Sequence, residues 1–196
     1  MGYYIRILAT SVADIPVQHL RDVASPAVIE DVSADGKWKE LVLKHASGQE
    51  IARIEKNPVV EGELGAEELE EFLDEIPLHL PASGSEWLQN YLPTVKVIYA
   101  FQLLSGTDLN DGWALLHAVY GAIWQVAGGI LQADDEGFSN EEGYTILWQF
   151  GETVTGSWKV GVLVDGAWKH CEIDLGNEQH REAFKNGEVP AGAKVL

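Results

Sequence analysis

The densest run of oxygen-bearing side chains in this chain is Asp134-Asp135-Glu136-Gly137-Phe138-Ser139-Asn140-Glu141-Glu142. Carboxylates at that density suggest a site for a hard cation, which takes about six to eight oxygen ligands, or a cation-assisted or carboxylate-based hydrolase centred on 134–142. The spacing argues against a helix-pair calcium loop. Such a loop needs oxygen ligands at its first, third and fifth positions and Gly at the sixth. Counting from Asp134, Phe138 falls on the fifth position and Gly137 on the fourth. The run reads instead as a solvated turn between two strands. Phe138 at its centre, among carboxylates, suits contact with another protein.

Other chemistry-bearing residues are dispersed. The six histidines (19, 45, 79, 117, 170 and 180) form no His-x-x-x-His pair on a helical stretch, and Cys171 has no second thiol. No metal ligand set is expected from them. His117 lies near an apolar stripe and reads as a core histidine. His170 and Cys171 are neighbours on a strand, so their side chains point to opposite faces. Cys171 falls on the inward face and reads as an inert packed thiol. No nucleophile elbow, phosphate loop or dinucleotide fingerprint is present. No catalytic residue and no cofactor is therefore expected.

Charge singles out a different property. Between Lys56 and Lys159 seventeen acids face one base, Lys96, and the net charge of −18 divides into −1, −16 and −1 along the chain. A concentrated field of one sign attracts basic surfaces and repels phosphate. Nucleic acid and anionic membrane surfaces are disfavoured as partners. The part of the field with helical spacing is Glu67, Glu68, Glu70, Glu71, Asp74 and Glu75, opposite an apolar face of Leu69, Phe72, Leu73 and Ile76. Glu67, Glu68 and Glu71 join Asp134, Asp135, Glu136, Phe138, Glu141, Glu142 and Trp168 as candidate partner-binding residues. Together they suit a non-enzymatic, immunity- or antidote-like protein that engages a basic protein partner. The competing readings are the hydrolase and a housekeeping protein whose charge serves solubility alone.

The elements that must position these residues are legible in outline. Residues 3–9 read as a strand. Asp14 reads as a helix cap, with Pro16 in the first turn. Strands follow at Val28–Val32, Trp38–His45 and Ile51–Glu55, with turns at Asp35-Gly36 and Ser47-Gly48. A helix runs from Ala66 to Ile76 and stops at Pro77. Ser83 and Glu86 have capping-box spacing for a short helix through Trp87, Leu88 and Tyr91, closed by Pro93.

A strand over Val95–Leu104 precedes the longest helix, 110–127, capped by Asn110 or Asp111 and ended by Gly128-Gly129. Trp113, Leu116, Tyr120 and Trp124 form one apolar stripe on it and Leu115, Val119, Ile123 and Val126 a second, which implies burial on most sides. A strand from Ile130, a loop over 138–143 and a strand over Tyr144–Phe150 come next. Trp158–Val164 and Ala167–Leu175 are joined by Asp165-Gly166, which favours a two-residue type I′ hairpin. That register sets Val160 opposite Cys171, Val162 opposite Lys169 and Lys159 opposite Glu172. It also puts Trp168 on the outer face, covered by another element or free as an interface anchor.

The expected fold is α+β: a mainly antiparallel sheet packed on the helix at about 110–127, in one compact domain spanning 1–196. Two similar β-α-β-β-β halves, 1–57 and 94–176, would be joined by an acidic helical connector at 58–93. Hydrophobic residues make up 46% of the chain, enough for a sizeable core. No stretch has the length and apolarity of a membrane span. The N-terminal residues lack a secretory pattern, and a single cysteine suits a reducing, cytoplasmic setting.

Overall fold

A computed structural model describes residues 2–33 and 37–196. The Asp35-Gly36 turn expected from the sequence lies outside the described residues. The described elements run β1 (Tyr4–Ala9), α1 (Val17–Ala24), β2 (Val28–Asp31), β3 (Glu40–Lys44), β4 (Glu50–Pro58), α2 (Leu64–Glu75), α3 (Ala82–Tyr91) and β5 (Val97–Leu103). They continue with α4 (Gly112–Ala127), β6 (Ile130–Ala133), β7 (Gly137–Ser139), β8 (Thr145–Trp148), β9 (Ser157–Val164), β10 (Ala167–Asp174), α5 (Glu178–Lys185) and β11 (Lys194–Val195). The protein is α+β, with mostly antiparallel strand pairing; β8 and β9 pair in parallel. The chain divides into two compact units: residues 1–67 with 95–129, and residues 68–94 with 130–196. The stretch 94–176 thus contributes to both units.

In the first unit the strand order is β1-β5-β4-β3-β2. The run Val97-Ile98-Tyr99-Ala100-Phe101 is buried along its whole length, as a strand must be when both of its faces are covered. β5 pairs with β1 from Tyr4↔Gln102 to Ala9↔Val97 and with β4 from Ala52↔Leu103 to Pro58↔Val97. The outermost strand, β2, buries only Ile29. Helix α1 begins after Pro16, with no side-chain cap, so Asp14 does not cap it. Pro16 instead offers its carbonyl to the amides of His19 and Leu20.

Helix α4 turns Leu115, Leu116, Val119 and Ile123 inward, and Tyr120 meets Phe101 edge-on at 5.2 Å. Its other side stays in water: Trp113 and Val126 are 46% and 45% exposed. The two stripes were expected to be buried on most sides, but a single packed layer covers only about half of a helix. His117 is exposed beside the Trp113 ring rather than in the core. Asp111 makes no cap; its carboxylate lies 3.2 Å from Nε2 of His45.

In the second unit the order is β11-β10-β9-β8-β7-β6. Its core gathers Trp148, Phe150, Val160, Val162, Cys171, Ile173, Leu175 and Phe184. The β9–β10 hairpin has the register read from the sequence, with Val164↔Ala167, Val160↔Cys171 and Lys159↔Glu172. Asp165 and Gly166 both adopt positive φ, at 50° and 78°, as a type I′ turn requires. Lys159 lies opposite Glu172 as that register requires, but the carboxylate is bound by the Ser157 hydroxyl and by Lys194 at 3.4 Å. These partners hold it below the usual carboxylate range.

Helix α3 starts at Ala82, so Ser83 lies inside its first turn and the capping box does not form. The Ser83 hydroxyl is buried and has no hydrogen-bond partner among the described residues. Ser85 donates to the carbonyl of Ile76 at 2.9 Å and ties the helix back to the turn after α2. Helix α5, with Asn177 accepting from the amides of Gln179 and His180, was not anticipated from sequence. No helix of the described residues is long and apolar enough to cross a membrane.

Candidate functional site

The acidic run 134–142 does not form one loop. Asp134-Asp135-Glu136 makes the tight turn between β6 and β7, with Ala133 opposite Gly137 and Asp135 at φ 60°. Gly137 holds φ 109°, and a Cβ there would sit 2.2 Å from the carbonyl oxygen of Leu147. Only glycine lets β7 approach β8 at this point. Phe138 follows within the strand, and Glu141 and Glu142 belong to the next turn. The two acidic groups therefore flank opposite ends of a three-residue strand, which rises about 3.3 Å per residue. Among the described residues no group of three or more His, Cys, Asp or Glu is placed to hold a metal ion.

Phe138 is not an exposed tip. It is 1% exposed and meets Phe72 of α2 edge-on, at 5.3 Å and 87°. Strand alternation explains the reversal: the turn at 134–136 resets the phase, so residue 138 points inward. The same contact orients α2. With Phe72 turned to β7 and Leu69 buried, Glu71 faces solvent and Glu68 is half-buried. Glu67 is exposed and belongs to the first unit. Pro77 falls in a short 3-10 turn over Ile76–Leu78 that ends the helix.

Three of the residues singled out by sequence do come together, at an aromatic surface of the second unit. Its floor is the outer face of β10, which carries Trp168 and His170. Trp168 is half-buried and meets Trp87 of α3 edge-on at 5.4 Å. Trp87 stacks on Tyr91, one helical turn later, at 4.9 Å and 21°. The Tyr91 hydroxyl donates to Glu141 at 3.0 Å. Glu142 lies 3.7 Å from Nε2 of His170. The ring of His170 lies flat on that of Tyr144, with centroids 3.7 Å apart and planes within 5°.

Asn140 builds the turn that presents both glutamates. It is 1% exposed, and its Oδ1 accepts from the amides of Glu142 and Tyr144 at 3.1 and 3.0 Å. Its Nδ2 is 3.4 Å from Nε2 of His170. Gly161 sits opposite His170 on β9, and a Cβ there would come within 3.4 Å of Asn140 Nδ2 and Tyr144 Cβ. The missing side chain leaves the space in which the Tyr144–His170 stack and Asn140 lie.

Sequence reasoning found Trp168, Glu141 and Glu142 in this group but missed Trp87, Tyr91, Asn140, Tyr144 and His170. The available signals were Trp87 and Tyr91 one turn apart on a helix, and Trp168 and His170 two apart on a strand. The remaining candidates lie elsewhere: Asp134, Asp135 and Glu136 at the far end of β7, and Glu67, Glu68 and Glu71 on α2. The tryptophans as a set are also less buried than their apolar spacing suggests. Only Trp38 and Trp148 are in the core, while Trp87, Trp124, Trp158 and Trp168 are half-buried.

Chemically, the surface offers broad π-faces beside two carboxylates. Aromatic faces attract cations within about 6 Å of the ring centroid, and carboxylates accept from guanidinium or ammonium groups. No protein-family model, curated protein or solved structure matches the chain.

Proposed function

We infer that the chain is a non-enzymatic binding protein that engages a basic protein partner through the Trp87–Tyr91–Trp168 array and its neighbours Glu141 and Glu142. The observation that carries this reading is the Trp168–Trp87–Tyr91 contact series, with Glu141 fastened to it by the Tyr91 hydroxyl. Trp and Tyr are among the residue types that most often dominate interface energetics, and these three rings are half-buried. Here Trp87 and Tyr91 lie in the stretch of chain that carries most of the negative charge, and the Tyr91 hydroxyl donates to Glu141. An antidote that masks the positive surface of a toxin would use such a face, in a reducing compartment where the lone Cys171 stays a thiol. The carboxylates of 134–142 are split between two turns, so the hydrolase reading gains no support from their placement.

The test uses an arginine-rich peptide of alternating Arg and Gly as the probe, with binding followed by calorimetry at several salt concentrations. Wild-type affinity should fall with salt, because steering between opposite charges is screened over about 10 Å at 0.1 M. Trp168→Ala should weaken binding by about 1–2 kcal/mol or more, as hot-spot truncations do. Glu141→Gln should weaken it mainly at low salt. Affinity unchanged by either substitution would leave charge for solubility as the better account.

A further inference from the structure

We propose that Lys56, in the first unit, is an acylation site for small activated acyl donors of the acyl phosphate or thioester class. The inference is independent of the partner-binding reading and concerns a group that reading does not use. Lys56 lies on β4 directly opposite Tyr99 of β5. Its ammonium nitrogen is 5.5 Å from the centroid of the Trp38 ring and 5.9 Å from that of Tyr99. Its one hydrogen-bond acceptor among the described residues is the carbonyl of Ala13, at a long 3.4 Å. Among the described residues no carboxylate lies within ion-pair distance of it, whereas Lys44, Lys185 and Lys194 each have a glutamate partner.

The two rings that face the amine are themselves buried. Trp38 is 6% exposed, with its indole nitrogen donating to the carbonyl of Ile15. Tyr99 is fully buried, and among the described residues its hydroxyl has no hydrogen-bond partner. Burial pushes that phenol up to about 12, so it stays neutral and supplies no counter-charge to the amine. Burial likewise lowers the Lys56 amine from its usual value; Asp14 opposes this and Lys37 adds to it. Ring faces favour the ammonium form, and burial opposes it.

Acylation needs the neutral amine with a free lone pair. In the step proposed, the Lys56 nitrogen attacks the acyl carbon and forms the N–C bond. The bond to phosphate or thiolate breaks, and that group leaves with the electron pair. The amine loses its proton to water. The product is an uncharged amide on the same aromatic faces, which removes the cost of a poorly solvated ammonium. Each unit by which an amine falls below an exposed lysine raises its neutral fraction about tenfold near neutral pH. Of the nine lysines, Lys56 is the one whose amine is lowered by burial, and it lies against two buried rings.

The experiment treats the full chain with acetyl phosphate at about pH 7 and about pH 10.5, then maps acetyl occupancy at every lysine by mass spectrometry. At the lower pH Lys56 should exceed the mean of the other eight by roughly threefold or more, and at the higher pH the gap should close as all amines lose their protons. The preference should vanish in concentrated urea. Occupancy at or below the mean at neutral pH, a gap that does not narrow, or a preference that survives unfolding would each overturn the proposal. As a second measurement, Lys56→Gln should melt above Lys56→Arg. The reverse order would show that the niche favours a charge and would also overturn it.

Discussion

Replacing Phe138 with alanine tests the most consequential difference between the sequence pattern and the fold. Were Phe138 an exposed tip between acidic residues, its truncation would change stability by no more than about 0.5 kcal/mol. In the structure it is 1% exposed and shares an edge-to-face contact with Phe72. Core Phe→Ala changes cost about 3–5 kcal/mol, combining lost transfer energy with the cavity left behind. The aromatic pair itself contributes about 0.5–1.5 kcal/mol beyond area burial. β7 is only three residues long and is pinned on both sides by β6 and β8. Its backbone cannot collapse into the void, so a loss near 4 kcal/mol is expected. Urea unfolding followed by far-ultraviolet circular dichroism gives the difference from the midpoint shift at unchanged slope. Phe72→Leu and the double variant complete a cycle whose coupling should be about 0.5–1.5 kcal/mol. A loss under about 1 kcal/mol for Phe138→Ala, or a coupling indistinguishable from zero, would refute the packing argument.

Burial raises the Cys171 thiol, so it should resist an aromatic disulfide reagent in the native protein near neutral pH and react fully once urea unfolds it; rapid native labelling would contradict its packing against the core. Tyr99→Phe should leave the protein equally stable or stabilise it by about 1 kcal/mol, because the lost hydroxyl is buried without a partner among the described residues. The sign of its pH dependence follows from a folded value of about 12 against an ordinary 10. The wild type keeps its full stability below pH 10 and loses some as pH rises toward 12, while the phenylalanine variant lacks that loss. Parallel alkaline melting curves for the two would argue against a buried neutral phenol.

What could be read from the chain was local. The β9–β10 hairpin follows from Asp165-Gly166 because both residues accept positive φ and the two-residue loop fixes every pair beyond it. Helix α2 follows from its apolar spacing and Pro77. Trp168 follows from strand parity once the hairpin is fixed. Phe138 did not, because the turn at Asp134–Glu136 resets the alternation and its partner Phe72 lies on a distant helix. Helix α4 misled for a related reason: a wholly uncharged segment looks buried on all sides, yet Trp113 and His117 face water. The aromatic site was the least legible. Trp87 and Tyr91, the turn at 140–144, and Trp168 with His170 come from three separated segments, and the space joining two of them depends on the side chain that Gly161 lacks.

The split of the acidic run changes how the proposed partner recognition would work. If all seventeen middle-segment acids formed one surface, charge alone would set affinity, and any polycation would compete. Instead Asp134, Asp135 and Glu136 are held at the far end of β7 from Glu141 and Glu142. Exposed charges more than a Debye length apart, about 8 Å at physiological salt, contribute mainly to the rate of encounter. Discrimination must then come from short-range contacts at the rings of Trp168, Trp87 and Tyr91, where a planar guanidinium can stack as well as pair and an ammonium offers only a point charge. An arginine-bearing partner should therefore outcompete a lysine-bearing one of equal charge, by a margin that persists at high salt and disappears in Trp168→Ala. Equal displacement by both peptides at every salt concentration would reduce the aromatic array to ordinary half-buried packing.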